Sequence, residues 1–527
     1  MFNDIGKDIK DTWNSVGNWG DQKSHDVRDA LFDRDFKDFR CSLKKGGENH
    51  QINMLEKGFE VRSEKNQTSM DVYLWDDFCG IDFDENLDFK IHTTEFYKGW
   101  FSAPDPKYRV LKIVNYGREE GMDLVKAKKL RNWILTKFND YNYHTHQCGI
   151  KKEDASSYNH TGEYSWEKKI LVFISPASGK GGSQKFYQDI EPTLKASGFV
   201  PEVKLTESRD WALNYTRELS SDQLQQYYQV VVCGGDGMVN EVINGFYQRG
   251  QPGFWSLNST SRLRIGTLAG GSACGAMTQA CKNWGLAGDV INAMYVLTRS
   301  KFYDMAVARY EIETPRESNA ESKTGEAGQF QEMTPPETKT YYGFHSFAFG
   351  MSADNIALSE KFRYAGESRY TLGAIQNILF SLPKRKVKIS VSETKPDHMP
   401  SFGEELTGDN WTNWDCELYE FLFVPYPHFT GKYTITKKVK MGSDFGEACL
   451  SNTKIGWSGV IKLFDHAEKG TLETYEGVNM KVCRAFRVEL ADERYGPKDT
   501  WCAIDGDTYP GLKIQMIMEE PVVRQSA

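Results

Sequence analysis

The most informative segment of the chain is Tyr228-Gln-Val-Val-Val-Cys-Gly-Gly-Asp-Gly-Met-Val-Asn-Glu-Val-Ile-Asn-Gly245. Its apolar run predicts a buried β-strand, and the glycines and helix-forming residues that follow predict a turn and a helix. Gly234, Gly235 and Gly237 lack a Cβ atom, so we expect them to take positive φ and to bring backbone N–H groups close to an anion. Asp236 would lie beside that anion, where it could hold a divalent metal or polarise a hydroxyl group. An ordinary tight turn is the alternative interpretation.

Two further segments repeat this pattern of a buried strand followed by a glycine-rich loop. One is Lys169-Ile-Leu-Val-Phe-Ile-Ser-Pro-Ala-Ser-Gly-Lys-Gly-Gly182, and the other is Leu263-Arg-Ile-Gly-Thr-Leu-Ala-Gly-Gly-Ser-Ala-Cys-Gly275. Three such segments within about 110 residues predict a parallel α/β sheet that binds a nucleotide at the carboxyl ends of its strands. None of the three fits the G-x-x-x-x-G-K-[ST] pattern of a P-loop.

Over roughly residues 165–515, the chain resembles the lipid kinases that are built on the diacylglycerol kinase catalytic domain, most closely the sphingosine and ceramide kinases. The most specific similarity is Gly350-Met-Ser-Ala-Asp354 with the following Ser359–Gly373, which has the same Asp, two Arg and Leu-Gly ending as sphingosine kinases. Ser261–Gly266 is closer to ceramide kinases, and Ala503-Ile-Asp-Gly-Asp507 is similar to the Asp-Gly-Glu turn of the family.

The resemblance implies an α/β fold with two lobes, as in other lipid kinases. We expect a parallel α/β nucleotide lobe at residues 167–300 and a β-sandwich lipid lobe at 301–520, with solvated insertions near 313–339 and 393–415. Apolar and β-branched runs predict the strands of the second lobe. These runs are 341–349, 386–391, 418–424, 454–464, 482–490 and 512–518.

Three further parts precede the predicted kinase lobes. Residues 1–40 place apolar residues at helical spacing and predict an amphipathic helix that docks on its own protein or on a partner protein. Residues 41–140 predict a small β-rich domain closed by one helix, which resembles a pleckstrin-homology-like module; a lineage-specific β-domain is the alternative. Residues 141–166 are polar and predict a linker.

The resemblance also implies a reaction and a set of site residues. The γ-phosphate of ATP, with Mg²⁺, would pass to a primary hydroxyl of a sphingoid base, ceramide or related lipid. Asp236 would be the general base or would bind Mg²⁺, and Asp354 would bind the polar head of the lipid. The predicted nucleotide-binding residues are Ser175, Ser178, Gly179, Gly181, Thr206, Gly235, Gly237, Glu241, Gly271, Ser272, Arg363, Arg369 and Asp507. A structural carboxylate is the alternative for Glu241, and an ordinary salt bridge is the alternative for each arginine.

Three sites depart from the family pattern. Ser175 replaces Asn, Ala273-Cys274 replaces Gly-Asn, and Asp507 replaces Glu, which withdraws a carboxylate by about 1.5 Å. These departures support a second hypothesis, in which a catalytically degenerate kinase fold serves as a structural or regulatory subunit of a larger assembly. An NAD-kinase-like enzyme shares the Gly-Gly-Asp-Gly turn but does not explain the segment from Asp354 to Gly373.

The composition restricts the partners of the protein. A formal net charge of −8 argues against nucleic acid, which is bound by basic surfaces. No apolar run reaches the length of roughly 18 residues that a membrane span needs, and the N-terminus has no signal-peptide core or presequence pattern. We therefore expect a cytoplasmic protein that makes at most transient contact with a membrane surface.

Overall fold

The structure is a computed structural model that describes residues 42–96, 107–146, 167–178, 181–249, 263–269, 274–314, 337–359, 384–408, 410–428, 433–492, 500–520 and 523–526. The predicted N-terminal helix (1–40) and most of the predicted linker and of the first predicted insertion lie outside these ranges. Five predicted nucleotide-binding residues also lie outside them: Gly179, Gly271, Ser272, Arg363 and Arg369.

The first part of the described chain is an antiparallel sheet covered by one helix. Its seven strands are β1 (Ser42–Lys45), β2 (Glu48–Leu55), β3 (Gly58–Ser63), β4 (Met70–Leu74), β5 (Phe78–Phe83), β6 (Phe89–Phe96) and β7 (Arg109–Arg118). They pair in the order β4-β3-β2-β1-β7-β6-β5. Helix α1 (Leu124–His146) places Leu130, Ile134 and Phe138 at helical spacing, and all three are buried against the sheet.

The predicted nucleotide region forms a six-stranded sheet. Its strands are β8 (Lys168–Ile174), β9 (Phe199–Leu205), β10 (Gln229–Gly234), β11 (Leu263–Ala269), β12 (Phe302–Asp304) and β24 (Val523–Ser526), paired in the order β12-β24-β11-β10-β8-β9. All neighbours are parallel except the edge strand β12. The helices are α2 (Ser183–Ala196), α3 (Trp211–Glu218), α4 (Ser221–Gln225), α5 (Asp236–Tyr247), α6 (Gly275–Lys282) and α7 (Val290–Arg299).

Helices cover both faces of this parallel sheet, which explains the unbroken apolar runs of its strands. Ile170 and Val172 of β8 belong to one core, whereas the intervening Leu171 and Phe173 belong to the core on the other face. These two cores hold the strands of the parallel sheet, and with them the carboxyl ends of the strands, in fixed relative positions.

Arg299, at the end of α7, anchors the first sheet on the parallel sheet. Its side chain is fully buried and donates hydrogen bonds to the backbone carbonyl oxygens of Trp75 (2.8 Å) and Phe78 (2.9 Å). Nearby, a Cβ atom at Gly80 would lie only 2.4 Å from the backbone carbonyl carbon of Ala196, so β5 approaches the end of α2 at backbone distance. The first sheet is thus packed directly on the helices that cover this face of the parallel sheet.

The remaining strands form an eleven-stranded antiparallel sheet. They are β13 (Ala308–Thr314), β14 (Glu337–Gly343), β15 (Phe347–Gly350), β16 (Arg385–Ser392), β17 (Trp411–Val424), β18 (Gly446–Asn452), β19 (Val478–Cys483), β20 (Ala485–Leu490), β21 (Trp501–Ile504), β22 (Asp507–Pro510) and β23 (Lys513–Met518). In the described part of this region, helices α8 (Met351–Ser359) and α9 (Gly456–Lys469) accompany it.

This antiparallel sheet folds over on itself. β13 and β15 are five pairing steps apart, which would be roughly 24 Å in a flat sheet. Yet the rings of Tyr310 on β13 and Phe347 on β15 stack with centroids 5.5 Å apart. The two halves therefore enclose a common apolar core, as a sandwich requires.

Two sequence-based boundaries in this region need correction. The predicted strand 454–464 is wrong, because residues 456–469 form α9, in which Val460, Leu463 and Ala467 are buried at helical spacing. β17 begins at Trp411, so it includes the end of the predicted insertion 393–415. Neither α9 nor any other helix within the described ranges is long and apolar enough to cross a bilayer.

A buried carboxylate joins the parallel sheet to the antiparallel sheet. Asp505, which follows β21, accepts hydrogen bonds from the backbone N–H groups of Phe344 (2.9 Å), His345 (2.8 Å) and Ser346 (2.9 Å). Its fourth donor is the side-chain amide of Asn240 in α5, at 2.8 Å. Because residues 344–346 lead into β15, these four bonds fix α5 against the start of that strand.

The last described strand returns to the parallel sheet. β24 lies between β11 and β12, with Val523 fully buried. The side-chain amide of Gln525, also fully buried, donates to the carbonyl oxygen of Ala276 at 2.7 Å. β24 therefore supports the first turn of α6.

We predict that Asp505→Asn lowers the free energy of unfolding by about 2–4 kcal/mol, because an amide N–H₂ would face buried N–H donors that the carboxylate satisfies. Chemical denaturation measures the change. Asp507→Asn is the matched control on the same turn, and its half-exposed side chain predicts a change within about 1 kcal/mol. Equal effects of the two substitutions would contradict the role of Asp505.

We predict that Val523→Asp lowers the free energy of unfolding by at least about 3 kcal/mol, because it places an unpaired charge in the core of the parallel sheet. The neighbouring Arg524→Ala removes only a partly exposed ion pair with Asp304 and should cost less than about 1 kcal/mol. Thermal and chemical unfolding of the two variants would test this, and a mild Val523→Asp effect would show that β24 is dispensable.

Candidate active site

The predicted phosphate loops meet at one edge of the parallel sheet. Ser175 follows β8, Thr206 follows β9 and Asp236 follows β10. Backbone hydrogen bonds connect these strand ends: the N–H of Ser175 donates to the carbonyl of Cys233 (3.2 Å), and the N–H of Thr206 donates to that of Ile174 (2.9 Å). The structure thus brings these predicted site residues to the carboxyl edge, where parallel sheets bind their ligands.

Two backbone hydrogen bonds connect the described residues of the first loop. The N–H of Ser178 donates to the carbonyl of Ser175 (3.2 Å), and the N–H of Gly181 donates to that of Ser178 (3.0 Å). Gly181 has φ +75°, a conformation that favours glycine. The loop then enters α2 directly, so its turns lie beside a helix N-terminus.

The glycines of the second loop do not take the positive φ that the sequence predicts. Gly235 is extended, with φ −91° and ψ 177°, and Gly234 and Gly237 are also absent from the left-handed region. The reason is that α5 begins at Asp236, so the chain turns by starting a helix. What Gly237 provides is space, because a Cβ atom there would have no neighbour within 4 Å. The N-terminus of α5 is therefore open to an anion.

Asp236 connects the N-termini of two helices. It is the first residue of α5, and its carboxylate oxygens accept hydrogen bonds from the N–H groups of Gly275 (2.7 Å) and Ala276 (3.0 Å), which begin α6. A carboxylate at this position complements the positive end of the helix dipole. Each oxygen keeps a further lone pair, so the same carboxylate can still accept a proton or bind a cation.

The start of α6 is fixed from the other side by a histidine. A Cβ atom at Gly275 would lie 1.9 Å from Nε2 of His345, so the ring packs directly on the backbone of this residue. The N–H of His345 is one of the donors to Asp505. The junction between the two sheets and the Asp236 carboxylate are therefore parts of one packed cluster.

The donor set around Asp236 suits a magnesium ion that arrives with a nucleotide. Mg²⁺ keeps several waters and is commonly bound by one or two carboxylates together with substrate phosphates. Across the described ranges there is no group of three or more His, Cys, Asp or Glu residues arranged to hold a metal. A magnesium ion at Asp236 would thus be shared with the phosphates.

Glu241 holds a different helix. Its Oε2 accepts a hydrogen bond from the N–H of Ala212 (3.1 Å) in the first turn of α3. Burial raises the pKa of the Glu241 carboxyl, and hydrogen bonds from the backbone of Asp210, Ala212 and Leu213 oppose that rise. This geometry corresponds to the structural alternative for Glu241, in which its carboxylate holds the start of α3 against α5.

Asp507 faces the loop that follows β9. Its Oδ1 lies 3.1 Å from Nη2 of Arg209, three residues after Thr206, and both side chains are substantially exposed. The ion pair joins the antiparallel sheet to the nucleotide edge of the parallel sheet. Asp507 and Thr206 are both predicted to contact the nucleotide, and Asp507 thus pairs with the loop that begins at Thr206. Sequence analysis missed Arg209.

Asp354, the predicted lipid-contacting residue, lies in a buried polar cluster of the antiparallel sheet. It occupies the first turn of α8, and both of its oxygens lie 2.8 Å from Nη2 of Arg385. Oε2 of Glu420 accepts a hydrogen bond from the N–H of Ser352 at 2.7 Å. Burial raises the pKa of the Asp354 carboxyl, and the positive charge of Arg385 opposes that rise. Burial also raises the pKa of the Glu420 carboxyl, to about 8.

Several residues of these clusters escaped the sequence analysis, although some left a signal. Asn240 and Asn244 lie four residues apart in α5, and both are buried among apolar residues of that helix. Glu420 interrupts the apolar run Leu418-Tyr-Glu-Phe-Leu-Phe-Val424. A polar residue inside an apolar run is rarely buried without a partner or a function, so both could have been flagged. Asp505 belongs to the Asp-Gly-Asp turn that the sequence analysis quotes, but its structural role becomes recognisable only from its contacts, as does the role of Arg385.

The family model of the diacylglycerol kinase catalytic domain matches residues 169–310. Curated relatives include sphingosine kinase 1 of Arabidopsis thaliana, 24% identical over 40% of this chain and 37% of its own length. Sphingoid long chain base kinase 5 of Saccharomyces cerevisiae is 27% identical over 49% of this chain and 34% of its own length. Mouse ceramide kinase is 32% identical over 20% of this chain and 21% of its own length.

The chain thus spans between about a fifth and two fifths of the length of these relatives. A solved structure of a diacylglycerol kinase from Bacillus anthracis aligns with 68% of this chain and 96% of its own, at 13% identity and a TM-score of 0.43. Residues 169–310 thus match the diacylglycerol kinase catalytic domain, and parts of the chain are similar to sphingosine and ceramide kinases.

Proposed function

We propose that the protein is an ATP-dependent lipid kinase that phosphorylates a primary hydroxyl of a sphingoid base, ceramide or related lipid. The observation that carries the proposal is the position of Asp236 between the N-termini of α5 and α6, at the carboxyl edge of the parallel sheet. This edge offers backbone N–H groups and helix dipoles to phosphates, and it places one carboxylate beside them.

The nucleotide would lie along this edge. Backbone N–H groups of the loop from Ser175 to Gly181 and of Gly235–Gly237 would bind phosphate oxygens, and Thr206 would contact the nucleotide from the next strand end. Asp507 would reach the same region from the antiparallel sheet. Mg²⁺ bound at Asp236 would neutralise phosphate charge. Gly179, Gly271, Ser272, Arg363 and Arg369 complete the proposed set.

The chemistry proposed for Asp236 is general base catalysis. Its carboxylate accepts the proton of the lipid hydroxyl as that oxygen bonds to the γ-phosphorus, and the bond to the β–γ bridging oxygen breaks to release ADP. The N–H groups of Gly275 and Ala276 fix the orientation of the carboxylate while leaving lone pairs for the proton. In this scheme Asp354 binds the head group of the lipid.

The first sheet and its helix α1 fit a pleckstrin-homology-like module. Seven antiparallel strands in the order β4-β3-β2-β1-β7-β6-β5, followed by one C-terminal helix, support this proposal. A lineage-specific β-domain remains the alternative. In either case we propose a cytoplasmic enzyme that contacts a membrane surface transiently to reach its substrate.

One observation favours a second candidate, a catalytically degenerate subunit. Both carboxylates predicted to act on substrates already have partners inside the protein: Asp236 with α6, and Asp354 with Arg385. Transfer of labelled phosphate from ATP with Mg²⁺ to sphingosine, ceramide and diacylglycerol decides between the candidates. Phosphorylation of one lipid supports the kinase, whereas no transfer together with no ATP binding supports the subunit.

Asp236→Asn is predicted to lower phosphate transfer by at least about a hundredfold, because the amide cannot act as a base. One of its two backbone hydrogen bonds should survive, so the unfolding free energy should fall by only about 1–2 kcal/mol. Asp289→Asn is the matched control, since Asp289 also accepts two backbone N–H groups at a helix start, those of Ile291 and Asn292 in α7, but is not a predicted site residue. Unchanged turnover of Asp236→Asn would remove the catalytic assignment.

Gly237→Ala is predicted to weaken ATP binding by about tenfold or more without loss of stability. The added methyl group has no protein atom within 4 Å, and alanine is favoured over glycine in a helix by up to about 1 kcal/mol. Isothermal titration with ATP and thermal unfolding would be measured together. Gly275→Ala serves as the contrast, because its methyl group would clash with His345 and reduce stability. Normal ATP affinity in Gly237→Ala would place the phosphates elsewhere.

A further inference from the structure

The cluster around Asp354 is rigidly placed by the backbone. Gly350, the last residue of β15, has φ +104°, and a Cβ atom there would lie 2.4 Å from the carbonyl oxygen of Tyr419. Only glycine meets both conditions. The start of α8, and with it Asp354, is therefore pressed against β17 and has no freedom to move away from the side chains of that strand.

Arg385 cancels the charge of Asp354. Its side chain is 2% exposed, that of Asp354 is 11% exposed, and Nη2 lies 2.8 Å from each carboxylate oxygen. Away from water such a pair is held strongly, because breaking it would leave one buried charge alone. Asp354 therefore offers lone pairs to a ligand but brings no net negative charge.

Glu420 adds a second carboxyl group to this cluster. Its side chain is buried, and Oε2 accepts the N–H of Ser352, two residues before Asp354. Its Oε1 is also buried and has no hydrogen-bond partner within the described ranges. Because burial raises its pKa to about 8, the group holds a proton at neutral pH and offers both an O–H donor and a carbonyl acceptor.

The strand that carries Glu420 is irregular at this point. The register between β17 and β18 shifts between Leu418 and Glu420, as in a β-bulge. Bulges re-aim side chains and are frequent beside functional sites. Oε1 of Glu420 is thus a buried polar atom without a partner in the described ranges, on a bulged strand. It belongs to the same cluster as Asp354, the predicted head-group residue. This combination indicates a place for a ligand group.

We propose that Arg385 and Glu420 are specificity-determining residues of the head-group site, and that they select an uncharged N-acylated sphingoid over a free sphingoid base. This inference rests on the proposed kinase function. The three side chains sum to zero charge, so the ammonium group of a free base would be desolvated beside a guanidinium of the same sign. The amide of an N-acylated lipid instead has one donor and one acceptor, which complement those of the Glu420 carboxyl.

The test compares two acceptors that differ only in the N-acyl group, sphingosine and a short-chain ceramide, in the same mixed micelles. We expect kcat/KM for the ceramide to exceed that for sphingosine by about tenfold or more, since like-charge contact costs more than 1.4 kcal/mol. Equal values or a preference for sphingosine would overturn the proposal. Preference for diacylglycerol over ceramide would also overturn it, because an ester lacks the N–H donor.

Variants separate specificity from folding. Arg385→Met leaves Asp354 without its counter-charge, which the ammonium group of sphingosine can replace, so this variant should reverse the preference toward sphingosine. Arg385→Lys keeps the charge and should preserve the preference for ceramide. Glu420→Gln keeps a donor and an acceptor and should keep the ceramide preference; Glu420→Leu should raise KM for ceramide by about tenfold. Arg487→Met, which removes another buried arginine of the same sheet, controls for stability and should leave the ratio unchanged.

The failure of the proposed function can be distinguished from the failure of this inference. If no lipid is phosphorylated, the same pair of lipids is compared by equilibrium binding, using intrinsic tryptophan fluorescence in the mixed micelles. Tighter binding of ceramide than of sphingosine, reversed in Arg385→Met, upholds the head-group assignment in a protein without kinase activity. Equal binding of the two lipids, or no binding of ceramide, overturns it.

Discussion

The arrangement of the whole site depends on one buried carboxylate, Asp505. By accepting four hydrogen bonds it holds Asn240 of α5 and the backbone of residues 344–346 at fixed positions. His345 passes this constraint on, because its ring packs on Gly275 at the start of α6. Asp236 in turn binds that helix start. The carboxylate proposed to act in catalysis is therefore positioned by contacts that begin in the antiparallel sheet.

The candidate site lies where the parallel and antiparallel sheets meet, so its geometry depends on how firmly the two sheets are joined. The chain passes from the parallel sheet into the antiparallel sheet after β12 and returns as β24, which pairs with both β11 and β12. The first sheet is fixed to the same body through the buried Arg299. Since cooperative stability follows from such shared cores, we expect the three sheets to respond together to destabilising substitutions.

Sequence patterns predicted the elements whose conformation depends mainly on neighbouring residues in the chain. The strand, turn and helix at 228–245 follow from an apolar run, glycines and a helix-forming segment, and the structure has them in that order. Glycine permits positive φ but does not require it, so the conformation of Gly235 could not be deduced. The segment 454–464 has apolar residues that satisfy either period, and packing against β17 and α8 selected the helix. Arg385 meets Asp354 from 31 positions away, which no local pattern encodes.

The two carboxylates of the proposed reaction are held in physically different ways, and the difference bears on whether the chain is an enzyme. Asp236 is bound by backbone N–H groups, which stabilise a negative charge without cancelling it. Asp354 is bound by a guanidinium, which removes the net charge of the site. A hydrogen bond or ion pair inside the protein therefore does not by itself prevent either carboxylate from acting on a substrate. In the proposed reaction, the first arrangement would keep an oriented anion where a proton must be accepted, and the second would make a head-group site that favours neutral ligands.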